Sequence, residues 1–270
     1  MMKKLLIFIL AMICLDVEAS DNNPGDNESI AIDSVNFPSY AFRDLLLNRY
    51  DSNHDGLLSS SEFSAVKQFD LHQRSIDNLK GIEYFTEVTK LACQDNYLVQ
   101  LDVSKNTKLE TLNCYRNQLT TLTVSDNPAI SNLQCYNNKI TSLDVSSCTA
   151  LQNLYCYGNN INADEMQKLI NSLPTVTNGN FRPVYIPSEE TNAIITNEQV
   201  KTAKAKGWTT YYFDRESNTW KEYEGNTAGV QLLENSKNPS DIVLYNLRGQ
   251  RVDNDIKGIV IYKGKKLLRK

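Results

Sequence analysis

Apolar residues in the middle of the chain recur at a constant interval of 21 positions. The stretch from Leu109 to Leu119 shows the repeated unit, which reads L-x-x-L-x-C-x-x-N-x-L. A degenerate earlier copy begins at Phe69 and contains one extra residue. Because one unit this short cannot bury its own leucines, successive units must stack to form a continuous core. The pattern therefore predicts a solenoid in which every unit adds a short strand to a parallel sheet.

This pattern resembles the leucine-rich repeat, with cysteine where the third leucine of each unit would stand. The resemblance implies an α/β solenoid, a short leucine-rich repeat right-handed superhelix with a parallel sheet. We assign the repeats to residues 71–172.

The repeated cysteines are expected to face the core as a ladder of thiols. They are Cys93, Cys114, Cys135 and Cys156. Equivalent residues of stacked strands lie about 4.8 Å apart, so four sulfurs in a line cannot surround a zinc ion, whose ligands lie about 2.3 Å from one point. Disulfides between rungs are disfavoured because parallel side chains keep their Cβ atoms further apart than the usual ~3.8 Å. A redox or metal role is the minor alternative.

Two other sets of residues keep the same interval. The asparagines Asn96, Asn117, Asn138 and Asn159 are expected to satisfy backbone groups where the chain leaves each strand. In the second half of the unit, Cys148 stands where Asn106 and Asn127 stand in the preceding units. An exposed free thiol in a turn is one fate open to Cys148, and the sequence does not decide it.

Side chains next to the cysteines alternate to the outside of the sheet. This places three tyrosines in one column on the predicted concave face, with Gln94 before them and a polar column beside them. The predicted partner-binding residues are Tyr115, Tyr136, Tyr157, Gln94, Asn113, Gln134 and Tyr155. Exposed aromatic side chains suit recognition of a protein or a glycan. The alternative is that tyrosine favours strands and cross-strand stacking without any ligand.

The stretch DSNHDGLLSSSE, residues 51–62, matches the calcium-loop pattern D-x-[DN]-x-[DN]-G-x5-E at every required position. It resembles an EF-hand. The resemblance implies calcium held by oxygen atoms, with a glycine, Gly56, at the sharp turn. The implied ligands are Asp51, Asn53, Asp55, Leu57 through its carbonyl, Ser59 through water, and Glu62.

Helical spacing flanks this loop, with Phe42 and Leu45 before it and Phe63, Val66 and Phe69 after it. No second loop of this kind occurs in the sequence. We therefore expect residues 37–70 to form a helical EF-hand-like N-terminal cap over the end of the solenoid, with calcium as a structural ion.

The first residues resemble a secretory signal, with Lys3 and Lys4 before an apolar run and Ala19 at the expected cleavage point. We assign 1–19 to this signal and 20–36 to a linker. Lipidation at Cys14 is disfavoured because Ile13 precedes it. No later apolar run approaches the roughly 20 residues that span a bilayer. The net charge of -4 gives no overall electrostatic footprint for nucleic acid.

The 21-residue interval stops after the repeats. Residues 173–224 are predicted to form an α/β segment that closes the solenoid, with Trp208 and Trp220 filling this closure. A polar linker is expected at 225–240, and a small C-terminal β module of hairpins at 241–270, which resembles sorting tails of exported bacterial proteins.

Together, the order of signal, calcium loop, repeats and tail resembles secreted bacterial leucine-rich repeat proteins of the internalin-like kind. The resemblance implies a secreted or surface-displayed binding or adhesion protein that is not an enzyme. The only imidazoles, His54 and His72, show no arrangement typical of a catalytic triad. A structural envelope protein without a specific ligand and a carboxylate-based hydrolase are the alternatives. Oligomeric state is open.

Overall fold

The computed structural model describes residues 29–185 and 195–225 in full, and only short strands within 226–270. The signal predicted in residues 1–19 lies outside the described residues, as does most of the linker predicted at 225–240. Among the helices described, none is long and apolar enough to cross a membrane.

Two helices and two short strands precede the repeats. In chain order they are β1 Ile30–Ala31, α1 Tyr40–Arg49, β2 Leu57–Leu58 and α2 Ser60–Ala65. The side chains of α1 that face the core have the predicted spacing, since Phe42, Leu45 and Leu46 are buried. The helix after the loop is shorter than the spacing predicts, because it ends at Ala65 and Phe69 already belongs to the first strand of the solenoid.

The repeats contribute strands of three residues each. These strands are β3 Gln68–Asp70, β4 Lys90–Ala92, β5 Gln100–Asp102, β6 Thr111–Asn113, β7 Thr121–Thr123, β8 Asn132–Gln134 and β9 Asn153–Tyr155, with a 3-10 helix at Ile82–Tyr84. The closing segment adds α3 Ala163–Ser172, β10 Gly179–Arg182, α4 Asn197–Ala205, β11 Trp208–Asp214 and β12 Thr219–Glu222.

Eight of these strands form the main sheet, in the order β12-β11-β10-β9-β8-β6-β4-β3. All neighbours are parallel except β11 and β12. The register keeps equivalent residues side by side, so Leu91 pairs with Leu112, and Leu133 with Leu154. Strands β5 and β7 form a second parallel pair from the other half of each unit. The predicted solenoid with a parallel sheet is thus confirmed.

The closing segment continues the sheet, although its sequence has lost the repeat. Phe181 of β10 pairs with Leu154 on one side and Thr210 on the other. Helix α4 begins with a capping box in which Thr196 and Gln199 bond reciprocally, an arrangement that satisfies two backbone donors at the helix start.

A single hydrophobic core runs from the N-terminal helices through all repeats to the closing segment. At its beginning, aromatic rings join α1 and α2 to the first rungs. Phe69 lies 6.0 Å from Phe42 and 4.7 Å from Phe85, and Phe85 lies 5.0 Å from Phe63, all edge to face. Edge-to-face pairs stabilise beyond their buried area. The two helices therefore cover the end of the core that a solenoid would otherwise expose.

Five further strands lie within residues 231–269. They are β13 Gln231–Leu232, β14 Leu244–Tyr245, β15 Arg251–Val252, β16 Gly258–Tyr262 and β17 Lys265–Arg269. They form one sheet in the order β13-β17-β16-β14-β15. The longest pairing joins β16 to β17 antiparallel, with Tyr262 opposite Lys265.

Candidate functional site

The repeated cysteines lie inside the solenoid. Cys93, Cys114 and Cys135 are fully buried, and Cys156 is 1% exposed. Burial raises the pKa of the Cys93 and Cys135 thiols to about 12. These groups are therefore protonated at neutral pH and are poor nucleophiles and poor metal ligands. The predicted buried ladder is confirmed.

Cys148 is also buried, so it is not the exposed thiol that its place in a turn allowed. Its side chain has no exposed area, and its Sγ lies 3.7 Å from the carbonyl oxygen of Val124. The asparagines at the same place in the preceding units explain why Cys148 faces inward. Asn127 turns inward and donates to the carbonyls of Val103 and Asn106, so this position faces a row of backbone acceptors inside the core.

The repeated asparagines bind backbone groups, as predicted. Asn117 is typical: its Nδ2 donates to the carbonyls of Cys93 and Cys114 at 3.0 and 3.1 Å, and its Oδ1 accepts from the amide of Leu98 at 3.0 Å. Asn138 repeats all three contacts one rung further along. Each side chain thus ties its own rung to the preceding one.

The three predicted tyrosines stack in one column, named here the tyrosine column. The ring centroids of Tyr115 and Tyr136 are 4.4 Å apart and nearly parallel, at 7°. Tyr136 and Tyr157 follow at 4.6 Å and 13°. All three side chains are half-buried. Burial, together with the neighbouring Tyr115 side chain, raises the pKa of Tyr136 to about 12, so the Tyr136 hydroxyl is uncharged at neutral pH.

The column continues into the closing segment, which the sequence did not indicate. Tyr185 stacks on Tyr157 at 5.2 Å, and Phe213 stacks on Tyr185 at 5.0 Å and 8°. Trp220 packs against the column 5.4 Å from Tyr157. Trp208 fills the closure as predicted, but Trp220 is only half-buried and belongs to this outer face.

One extra residue hides this continuation in the sequence. Tyr157 and Phe213 each lie three positions after the inward residue of their strand, Leu154 and Thr210, whereas Tyr185 lies four positions after Phe181. Aligning the segments on Phe181 and allowing one inserted residue would have found the continuation.

The residues beside the tyrosine column, Asn113, Gln134 and Tyr155, are half-buried, as is Gln94, which precedes Tyr115 in the column. Gln134 donates to the Oδ1 atom of Asn132 at 3.4 Å. The Oε1 atom of Gln94 and the Oδ1 atom of Asn113 are buried without a hydrogen-bond partner. Buried polar atoms without a partner are uncommon, and both lie at the N-terminal end of the column.

Stacking decides which part of each ring faces outward. In a stack with spacings of 4.4 to 5.2 Å, each interior ring has both faces covered by its neighbours. The rings therefore present their edges and hydroxyl groups to solvent. Ring edges carry partial positive charge and hydroxyls can donate, so the column can contact acceptors and apolar groups.

The calcium-like loop is organised around Asp51, which is 2% exposed. Its carboxylate accepts from the amides of Asp55 at 3.2 Å and Gly56 at 2.9 Å. Asn53 donates to the Asp55 carboxylate at 2.8 Å. Gly56 has a φ of 78°, which favours glycine. Hydrogen bonds within the loop thus hold the first four positions of the pattern in place.

Glu62, the last position of the loop, is held by two serines. Its carboxylate accepts from the amide and hydroxyl of both Ser52 and Ser59, at 2.7 to 2.9 Å. Although burial would raise it, these hydrogen bonds lower the pKa of Glu62 to about 2. Among the described residues, no group of three or more His, Cys, Asp or Glu side chains is arranged to hold a metal ion.

The centre of the loop is paired with the start of the described chain. Leu58 lies opposite Ile30 and Leu57 opposite Ala31 in an antiparallel pair, and the amide of Ile32 donates to the Gly56 carbonyl at 2.9 Å. This short strand supplies the backbone partner that no second loop provides. Asp51, Asn53 and Asp55 carry oxygen atoms of the kind that bind calcium, while both oxygens of the Glu62 carboxylate accept from serines.

No family model matches the sequence, and no curated protein matches it at a significant level. Among solved structures, the chain is similar to the functional domain of InlJ from Listeria monocytogenes, described as including a cysteine ladder. The identity is 28%, over 58% of this chain and 35% of that chain, with a TM-score of 0.48.

Two further solved structures are similar at lower identity. An internalin, inlF, from Listeria monocytogenes has 14% identity over 68% of this chain and 58% of that chain, with a TM-score of 0.43. A leucine-rich repeat protein of Leptospira interrogans has 18% identity over 56% of this chain and 39% of that chain, with a TM-score of 0.40. The chain thus spans less than two thirds of each of these proteins.

Proposed function

We propose that this chain is a non-enzymatic binding or adhesion protein, secreted or displayed at a bacterial surface, that recognises a protein partner through the tyrosine column. The observation that carries the proposal is the uninterrupted stack from Tyr115 to Phe213 on the outer side of the main sheet. Aromatic side chains held rigidly on a surface lose little conformational entropy on binding and dominate interface energies. The signal motif in the sequence supports export, and the resemblance of the C-terminal sequence to sorting tails supports a sorting role for the tail.

The stack favours a protein partner over a glycan. A sugar ring packs on an exposed aromatic face, and the interior rings of the column have none to offer, whereas an interface side chain can pack against ring edges and hydroxyls. A glycan is the second candidate, favoured by the amide side chains of Asn113 and Gln134 beside the column.

The buried thiols favour a binding protein over an enzyme. Burial raises the pKa of the Cys93 and Cys135 thiols to about 12, and His72 contacts Asp70 at the surface. A hydrolase would need an activated nucleophile or a pair of carboxylates around a cleft.

The test is capture by the immobilised mature chain from extracellular extracts, followed by identification and a binding isotherm for the captured protein. Replacing Tyr115, Tyr136 and Tyr157 with alanine should weaken binding by at least about tenfold, because clustered aromatic residues carry most interface energy. A matched variant replaces three exposed residues of the adjoining turns, Gln118, Lys139 and Asn160, and should bind normally. Equal binding by both variants would place the partner elsewhere.

We propose further that calcium binds the loop as a structural ion. Asp51, Asn53, Asp55 and Glu62 would supply side-chain oxygens, with Leu57 through its carbonyl and Ser59 through water. When bound, the ion supplies positive charge among three carboxylates and fixes α1 against α2. Those helices cover the end of the core through Phe42 and Phe63.

A thermal melt in excess calcium and in chelator tests this proposal. Calcium that binds only the folded chain stabilises it by about 2.7 kcal/mol at one hundred times its dissociation constant. Glu62→Gln is the informative variant, because glutamine keeps the capping box and loses the bidentate carboxylate. It should melt identically with and without calcium. A wild-type melting temperature that ignores calcium contradicts the proposal.

A further inference from the structure

An arginine is clamped between two aromatic rings beside the C-terminal half of the tyrosine column. The guanidinium carbon of Arg182 lies 4.1 Å from the ring centroid of Tyr155 and 4.3 Å from that of Trp220. Tyr155 and Arg182 are neighbours in the register of β9 and β10. Both contacts are close enough for a cation over an electron-rich ring face, so the side chain is held in one orientation on the outer side of the sheet.

The clamp leaves most of the guanidinium's hydrogen-bonding capacity unused. Its Nε donates to Asn180 Oδ1 at 3.2 Å. In the described part of the chain, neither terminal nitrogen of Arg182 has a hydrogen-bond or ion-pair partner, and both nitrogens are accessible to solvent. Arg116, the other arginine near the column, differs because it already faces the carboxylate of Asp95 at 3.7 Å.

The geometry points to Arg182 as a carboxylate receptor within the recognition face, which engages an acidic side chain of the protein partner. This inference rests on the proposed function. A planar guanidinium with two free terminal nitrogens matches the two oxygens of a carboxylate in a bidentate pair. Because Tyr155 and Trp220 already fix the side chain, little rotamer freedom is lost when the carboxylate arrives.

The neighbouring residues favour the same ligand. Trp220 contacts Tyr157 at 5.4 Å, so the phenol of Tyr157 lies beside the clamp, and a tyrosine hydroxyl can donate to a carboxylate oxygen. Lysine at position 182 would keep the charge but would lose both the fork and the stacking on two rings.

The inference can be tested without knowing the partner. The probes are two capped tripeptides, identical except for a central glutamate or a central glutamine, titrated into the isotopically labelled mature chain. The glutamate peptide should shift the Nε–H resonance of Arg182 and the indole N–H of Trp220 in a saturable manner. The glutamine peptide should bind at least about tenfold more weakly, as expected for loss of a charge-assisted pair. Equal shifts from the two peptides, or none, overturn the inference.

Variants separate this inference from the proposed function. Arg182→Lys should abolish the saturable shift of the Trp220 resonance, and Arg116→Lys should leave it unchanged. If Arg182→Lys fails to fold, the matched peptide pair on the wild-type chain still tests whether Arg182 binds a carboxylate. In the capture assay, binding lost with the tyrosine variant but retained with Arg182→Lys overturns only the carboxylate receptor. Binding retained with both variants overturns the recognition face itself.

Discussion

In the repeats, both sides of the main sheet carry residues that recur every 21 positions, but one side is buried in the core and the other faces outward. On the inner side, Leu112 and Cys114 are fully buried. On the outer side, Asn113 and Tyr115 are half-buried. A one-residue step therefore separates positions that hold the solenoid together from positions that can meet a partner. The comparison predicts that inner substitutions change stability and outer substitutions change binding.

Leu112→Ala should have the largest effect on stability. Its side chain is fully buried between Leu91 and Leu133, and removing it leaves a cavity that costs about 3 to 5 kcal/mol. Chemical denaturation measures the change in the free energy of unfolding. An effect no larger than that of Tyr115→Ala would break the comparison.

Asn117→Ala should follow, with a loss of about 2 to 3 kcal/mol. It leaves the buried amide of Leu98 without a protein partner and removes one of the two asparagine donors from each of the Cys93 and Cys114 carbonyls. Asn127→Ala is the matched control in the other half of the unit, since its Oδ1 has no partner and only its amide nitrogen is bonded. Denaturation of the two variants should show the smaller loss for Asn127→Ala, and the reverse order would contradict our assignment of these contacts.

Acid should weaken the N-terminal cap through Glu62. The folded-state pKa of Glu62 is lowered to about 2 from 4.5, so its stabilising contribution is present above pH 4.5 and is lost as pH falls from 4.5 towards 2. In calcium-free buffer, melting temperature against pH should be flatter for Glu62→Gln than for the wild type over this range. Parallel profiles would show that the serine contacts contribute nothing.

Tyr136→Phe should have the smallest effect on stability. The ring remains in the stack between Tyr115 and Tyr157, and loss of one half-buried hydroxyl should change the free energy of unfolding by less than about 1 kcal/mol. Binding to the captured partner should nevertheless weaken, because the hydroxyl lies on the recognition face. Calorimetry of the variant and the wild type measures both the free energy of unfolding and the affinity for the captured partner.

The repeats could be predicted because identical neighbours impose one geometry on every unit. The spacing alone placed Cys114 inside and Tyr115 outside, and the asparagines followed. Where the neighbours differ, the spacing carried less information. The sequence left the exposure of Cys148 open because turns are usually exposed, whereas in the structure Cys148 faces inward like the asparagines at the same position of the preceding units.

The missing part of the candidate site has a related cause. Tyr185, Phe213 and Trp220 join the column through strand pairing between β9, β10, β11 and β12, and such long-range pairing is visible in coordinates and not in local spacing. The clamp around Arg182 likewise needs Tyr155 from one segment and Trp220 from another.

Thiol accessibility in the native mature chain is the most direct test of the separation between inner and outer faces. Alkylation of the folded protein, read residue by residue by mass spectrometry, should leave all five described cysteines unmodified, and denaturant should make all five react. Rapid labelling of Cys93, Cys114, Cys135 or Cys156 in the folded chain would contradict the inward ladder and remove the basis for an outward tyrosine column.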